Sequence, residues 1–296
     1  MRKHPVIFGI MLLIGLGFVF FLFVYGLSAV ATQRHSFTAA EKVGIVSIEG
    51  IIGDSREAIE QLEEFDRDDT IKAVVLRIDS PGGGVAPSQE IYEALLNFKK
   101  KKKVIVSMGA VAASGGYLIA CAADKIVANP GTITGSISAV MYFANAEELL
   151  KKIGLKASVV KSGKYKDIGS PVRDMTAEER ALLQNLVDDI YDQFLGVIAD
   201  SRKISREELK MIADGRVFTG KQALKLGLVD FLGNREYAVR LAGKMSGIKG
   251  KPEVAYPKEK GPTLWEFILQ GMSSALKAEL KKSVDPGSGG VSYLYQ

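Results

Sequence analysis

Apolar and polar positions fall into blocks along this chain, and the period of the blocks changes in a regular order. VGIVSIEGII, from Val43 to Ile52, is rich in β-branched residues and predicts a strand, whereas Ser55 to Phe65 reads as a helix. IKAVVLRI, from Ile71 to Ile78, has the continuous apolar character of a buried strand, and Ala86 to Phe98 places Ile91, Leu95 and Phe98 at helical spacing. Val104 to Ser107 and the short Lys125 to Ala128 predict two more strands, separated by the apolar, helix-like run Tyr117 to Ala123. Such alternation predicts an α/β architecture with parallel pairing and right-handed crossovers.

Thr176 to Glu179 has the capping-box pattern, and behind it Leu182, Leu183, Leu186, Ile190, Phe194 and Ile198 mark one face of a long helix, a stripe suited to a core or a subunit interface. Ile204 to Leu209 and Thr219 to Leu226 predict short helices, the second followed by GLVD at Gly227 to Asp230. Near the C-terminus, Thr263 to Lys282 reads as an amphipathic helix expected to pack on its own domain or a neighbour, with membrane-surface contact through Trp265 as the alternative; Asp285 to Gly290 reads as a flexible tail. No tandem repeat of fixed period is present.

At the other end, Val6 to Val24 is an uninterrupted run of apolar residues and glycines, and no charge appears until Arg34. About 20 such residues span a bilayer as a helix. Arg2 and Lys3 precede the run, so the positive-inside rule puts the N-terminus in the cytoplasm and the remaining chain outside the cytoplasmic membrane. A cleaved leader is the alternative, because Ala29-Val-Ala31 resembles a small-x-small cleavage site, but the apolar run is longer than an ordinary leader core. The expected plan is therefore an anchor with its flanks over 1–35, a folded domain over 36–262, and an amphipathic helix and tail over 263–296.

Composition narrows the chemistry more than the class. The net charge of +5 comes partly from Lys99 to Lys103, which reads as a solvated helix end; nucleic-acid binding would want arginines and aromatics on the same face, and neither accompanies the run. The single cysteine, Cys121, excludes an intramolecular disulfide and any multi-cysteine metal site. Both histidines, His4 and His35, flank the apolar N-terminal segment. Hydrolysis by residues from Ser36 onward must therefore proceed without a Ser-His-Asp triad, a Cys-His pair or an HExxH zinc site. Neither a metal nor another cofactor is implied.

Within AASGGY, Ala112 to Tyr117, Ser114 follows a strand and precedes a helix-like run, with small neighbours that leave room for a peptide backbone. Peptide N–H groups at a helix start lack intrahelical partners and are suited to stabilising an oxyanion. A capping serine with glycines for tight packing is the plain alternative. Asp79-Ser-Pro-Gly-Gly-Gly84 changes the balance, since glycines leaving a buried strand can expose N–H groups, and Gly83 could pair with Gly115 as a two-donor oxyanion hole. A phosphate loop is excluded because no GK[ST] follows the glycines. With histidine absent, the base would be a lysine whose amine desolvation keeps neutral, and composition alone does not choose among the lysines.

Four blocks together do choose. IDSPGGGVAPSQEIYEAL (Ile78 to Leu95), AASGGYLIACAADKIVANPGTITGSI (Ala112 to Ile137), SGKYKDIGSPVRDMTAEE (Ser162 to Glu179) and DGRVFTGKQALKLGLVD (Asp214 to Asp230) resemble, in order, the signal peptide peptidase A, or protease IV, family in its short, single-core form. The resemblance implies a Clp protease/crotonase-like spiral of ββα units and a serine-lysine dyad, with Ser114 as nucleophile, Lys166 as general base, and Gly83 and Gly115 at the oxyanion hole. Lys161 and Lys164 lie off the matching position; they would help keep Lys166 neutral by repulsion, and Asp167 would oppose that unless it points away. It further implies a membrane-bound homo-oligomeric ring of eight subunits, with Ser114 of one subunit meeting Lys166 of the next. The implied substrates are remnant signal peptides and other unfolded apolar peptides.

Two other readings share these residues: a non-catalytic membrane scaffold on the same fold, and a related membrane protease that cleaves stomatin-like partners. The DGRVFTG block favours the signal peptide peptidase side over the latter. Acyl-CoA chemistry of the crotonase kind fits poorly, because no carboxylate lies in the segment around Ser114.

Overall fold

The computed structural model describes residues 13–24 and 40–258. Residues 13–24 are helical (α1) and exposed, and the remainder of the expected anchor lies outside the described residues. Among the described residues no helix is long and apolar enough to cross a membrane. The chain divides into two units, Met1–Pro257 and Lys258–Gln296, so the amphipathic helix expected at Thr263 to Lys282 also lies outside the described residues.

From Lys42 the elements run β1 (Lys42–Glu49), α2 (Arg56–Arg67), β2 (Ile71–Ser80), α3 (Val85–Lys99), β3 (Lys103–Ala113), α4 (Gly115–Ala120), β4 (Lys125–Ala128) and β5 (Ile133–Gly135). They continue with α5 (Glu147–Lys152), α6 (Ala177–Arg202), α7 (Arg206–Lys210), β6 (Val217–Thr219), α8 (Gly220–Lys225), β7 (Phe231–Leu232), α9 (Arg235–Met245) and β8 (Glu253–Ala255). The strands form one sheet in the order β6-β5-β3-β2-β1-β8, with β4 joining β3 to β7 beside this path. All pairs are parallel except β5 with β6. This mixed sheet agrees with the expected α/β class.

Two cores follow from the two-residue period of the strands. Val46, Val74, Leu76, Val104 and Val106 face Leu62 and Phe65 of α2, Ile91 and Leu95 of α3, and Phe194, Leu195 and Ile198 of α6. The intervening residues Ile45, Ala73, Val75 and Ile105 face Ala238, Val239 and Ala242 of α9. Burial on both faces is why β2 reads as an almost unbroken apolar run. The α6 stripe divides: Phe194 and Ile198 are buried, while Leu182 and Leu186, near the start of the helix, are exposed.

Strand β3 extends six residues beyond the Ser107 end expected from the sequence, because it changes partner along its length. Its first half pairs with β4 through Ile105, Val106 and Ser107, and its last residues, Val111 to Ala113, pair with β5. Asp79 holds the far half in place, its Oδ1 accepting from Val111 N at 3.1 Å. Sequence periodicity cannot register β5 or β6, each of three residues, and the small buried residues of α9 make a weak apolar signal.

Two aspartates tie successive strands at their N-terminal ends. Asp124 accepts from Val104 N at 2.9 Å and pairs with Lys103, while Asp230 accepts from Ile126 N at 2.8 Å and pairs with Arg202 at 2.9 Å. Burial pushes the Asp230 carboxyl up, but Arg202 and the Ile126 N–H outweigh it and hold the group below its ordinary value. The lysine run after α3 is more than a solvated end, since Lys102 Nζ donates to the carbonyls of Phe65 and Asp68 at 2.6 and 2.7 Å and Lys101 pairs with Asp66.

Tyr117 links α4 to the segment before β7: its ring is fully buried and its hydroxyl donates to Leu228 O at 2.8 Å. Tyr117→Phe leaves that carbonyl without its donor, so the unfolding free energy measured by denaturant titration should fall by about 1–3 kcal/mol, the cost of a buried group left unpaired.

Candidate active site

Two strand exits meet at the C-terminal edge of the sheet. Strand β2 ends at Ser80 and passes through Pro81 and three glycines into α3; β3 ends at Ala113 and passes through Ser114 directly into α4. Ser114 has φ 52° and ψ −121°, a backbone conformation that costs free energy in any residue with a Cβ. The strand–serine–helix turn resembles a nucleophile elbow, in which a sharp turn exposes the hydroxyl. Its N–H donates to Gly135 O at 2.9 Å, and its carbonyl accepts from Tyr117 N and Leu118 N, each at 2.9 Å. Ser114 is half-buried, and its hydroxyl makes no capping bond and no hydrogen bond to another described residue.

The glycine turn approaches this serine closely. Gly82 has φ +104°, and a Cβ there would lie 2.8 Å from Ser114 Cβ. Ile52 forms an isolated parallel bridge with Gly83, in which Ile52 N donates to Gly82 O at 3.0 Å and Gly84 N donates to Ile52 O at 2.8 Å. In a trans peptide the carbonyl and N–H point in opposite directions. Because the Gly82 carbonyl is held by Ile52, the Gly83 N–H points away from Ile52. A Cβ on Gly115 would lie 3.5 Å from Gly83 N, so the two glycines border one small space. Neither N–H donates a hydrogen bond to another described residue. The Ser114 N–H is spent on Gly135, whereas Gly83 and Gly115 keep open donors next to Ser114 among the described residues. Since α4 has six residues, the stabilising capacity lies in these local N–H groups rather than in a helix dipole.

Lys166 lies in a turn between α5 and α6, is exposed, and its own N–H donates to Gly163 O at 3.1 Å. Within the single chain no hydrogen bond joins its amine to Ser114. The charged residues that flank it in sequence are paired with one another. Lys161 is paired with Asp167, and Lys164 with Glu178, which raises the Lys164 ammonium above its ordinary range. Arg173 grips Asp167 through two hydrogen bonds of 2.9 Å and also binds Glu179 at 2.8 and 2.5 Å. Asp167 is thus held by Arg173 and then Lys161 far below the usual carboxylate range, and its charge is spent away from Lys166. Of the three lysines in this turn, Lys166 alone has no ion-pair partner among the described residues.

The capping box at Thr176 appears as expected, Glu179 N donating to Thr176 Oγ1 and Thr176 N donating to Glu179 Oε2. The same nearly buried Glu179 is an Arg173 partner, so the Lys166 turn is fastened to the start of α6. The sequence reading omitted the roles of Asp79, Arg173 and Glu179. Only the capping-box spacing of Glu179 left a local trace, because the other two act on residues brought near by the fold.

Arg173, together with Thr176, lowers the Glu179 carboxyl from 4.5 to about 2. A depressed acid contributes stability that is complete above its unfolded value and is lost as pH falls through the folded one. The stability difference between wild type and Arg173→Met, followed by chemical denaturation, should therefore be full above about pH 4.5 and shrink towards pH 2.

Comparison with known proteins places this geometry in a family. The model of peptidase family S49 matches residues 97–249, and the Clp protease model matches residues 32–133. A candidate protease of Synechocystis sp. is 44% identical over 209 residues, which cover 70% of this chain and 76% of that protein. Protease 4 of Salmonella typhi is 35% identical over 76% of this chain but only 36% of its own length. The chloroplastic serine protease SPPA of Arabidopsis thaliana is 32% identical over 85% of this chain and 37% of its own length. The chain belongs to peptidase family S49.

Proposed function

We propose that this peptidase is a membrane-anchored serine endopeptidase in which Ser114 is the nucleophile and Lys166 the general base. The observation that carries the reading is the uncommitted Ser114 hydroxyl at positive φ, beside the open N–H groups of Gly83 and Gly115.

The reaction follows from these roles. Neutral Lys166 takes the hydroxyl proton as Ser114 Oγ attacks the peptide carbonyl, and the carbonyl oxygen becomes an oxyanion between Gly83 N–H and Gly115 N–H. Collapse of this intermediate breaks the C–N bond, and the Lys166 ammonium passes its proton to the leaving amine. Water, deprotonated by the regenerated Lys166 amine, then attacks the acyl-enzyme, and the departing Ser114 oxygen recovers that proton from the Lys166 ammonium. No metal or cofactor takes part in this scheme.

The dyad is proposed to close between subunits of a ring, eight in number. Support comes from the segment preceding Lys166, where Val140, Tyr142, Leu149, Ile153 and Val160 are all exposed, the last at 99%. Apolar side chains in such number suit an interface better than solvent. Exposed Leu182 and Leu186 on α6 extend the same argument. The substrates are proposed to be remnant signal peptides and other unfolded apolar polypeptides, met outside the cytoplasmic membrane to which the apolar segment Val6 to Val24 would hold the enzyme.

Treatment of the full chain with a fluorophosphonate should give an adduct on the Ser114 peptide by mass spectrometry, absent in Ser114→Ala and Lys166→Ala. An unlabelled wild-type assembly would favour the scaffold reading. Gly83→Ala puts a Cβ 2.3 Å from Ile52 O and forces the bridge apart, so kcat should drop by roughly 10²–10³, the usual cost of one oxyanion donor.

A further inference from the structure

We infer that Ser88 is a positioning residue that sets the spacing between the two oxyanion donors; this rests on the serine-lysine reading above. Ser88 lies in the first turn of α3, is 1% exposed, and faces both donor-bearing segments. Toward the glycine turn, its Oγ donates to Gly84 O at 2.8 Å and its N–H donates to the same oxygen at 3.2 Å. Toward the serine turn, a Cβ on Gly115 would lie 2.4 Å from Ser88 Oγ, so the hydroxyl occupies the space that a side chain on Gly115 would need.

The consequence is a brace with two ends. Gly84 is held on its N–H side by Ile52 O and on its carbonyl side by Ser88, which immobilises the chain immediately after Gly83. The same hydroxyl is packed against Gly115, so the separation between the Gly83 and Gly115 N–H groups is set by one buried oxygen. A hydroxyl at i−4 hydrogen-bond distance within a helix is commonplace and slightly destabilising. Here its second contact gives it a use. Small residues are required at 115 and a compact polar one at 88, and neither requirement comes from the helix itself.

An oxyanion hole contributes only when its donors lie about 2.7–3.1 Å from the developing charge, so a drift of either N–H lowers transition-state stabilisation more than ground-state binding. Ser88→Ala removes the hydroxyl's half of the carbonyl clamp, leaving only the longer main-chain N–H bond to Gly84 O, and opens the space behind Gly115; Ser88→Cys keeps a side chain of similar shape but substitutes a weak donor. Steady-state hydrolysis of a fluorogenic peptide by the full chain should show kcat reduced about 10-fold in both variants, with KM within about twofold of wild type. Affinity for a peptide boronate, which mimics the tetrahedral oxyanion, should fall in parallel while affinity for a cleaved product peptide does not. A kcat within twofold of wild type in either folded variant, or a loss confined to KM, would overturn the brace. Ser114→Ala run alongside separates the two levels: activity retained there removes the dyad reading itself, whereas its loss with Ser88 variants unaffected removes only the proposal.

Discussion

The close approach of two strand exits is the constraint on which the rest of the site depends. Strands β2 and β3 are paired through Ile78 and Met108, and their register shifts just beyond, so that Ser80 pairs with Ala112. Both chains must then leave the sheet at the same level and within van der Waals contact. Only residues with little or no side chain fit there: a Cβ on Gly82 would meet Ser114 Cβ at 2.8 Å, and one on Gly83 would enter the Ile52 backbone. The tight packing has a chemical product. Backbone groups that would otherwise be buried by side chains are left facing a shared space, with the hydroxyl of Ser114 beside them.

Direction within that space comes from hydrogen bonds outside it. Ile52 claims the Gly82 carbonyl and so turns the Gly83 N–H the other way, while Gly135 claims the Ser114 N–H and removes it from competition. Asp79 performs the corresponding service at longer range by holding Val111 and hence the terminal part of β3. A planar, trans peptide makes each of these restraints act at both ends of the unit. The placement of these N–H groups is therefore specified mostly by main-chain bonds, together with residues small enough to let the two turns approach and the buried hydroxyl of Ser88.

The turn that carries Lys166 is organised on a different principle. Lys166 sits in an exposed turn with little regular structure, yet the carboxylates around it are engaged elsewhere: Asp167 with Arg173 and Lys161, Glu178 with Lys164, Glu179 with Arg173. An uncompensated carboxylate beside a lysine amine favours its protonated form. Arg173 absorbs two such charges at once and fastens the turn to α6. The residues that precede the turn are apolar and exposed, the surface on which the proposed contact between subunits rests.

Much of this protein was legible in its sequence. The α/β class, the strands β1 and β2, the helix α3 and the capping box of Thr176 follow from local periodicity and spacing, because the apolar period that burial demands, or the cap itself, is written in residues a few positions apart. The lack of histidine after His35 excluded whole classes of hydrolytic mechanism without any structure. Tertiary structure alone decided the remainder. The change of partner along β3, the three-residue strands β5 and β6, the Ile52–Gly83 bridge and the Ser88–Gly115 contact join segments whose local pattern carries no record of one another. Sequence period reports what a residue's own helix or strand requires; which N–H is left open is settled only after every neighbouring carbonyl has found its donor.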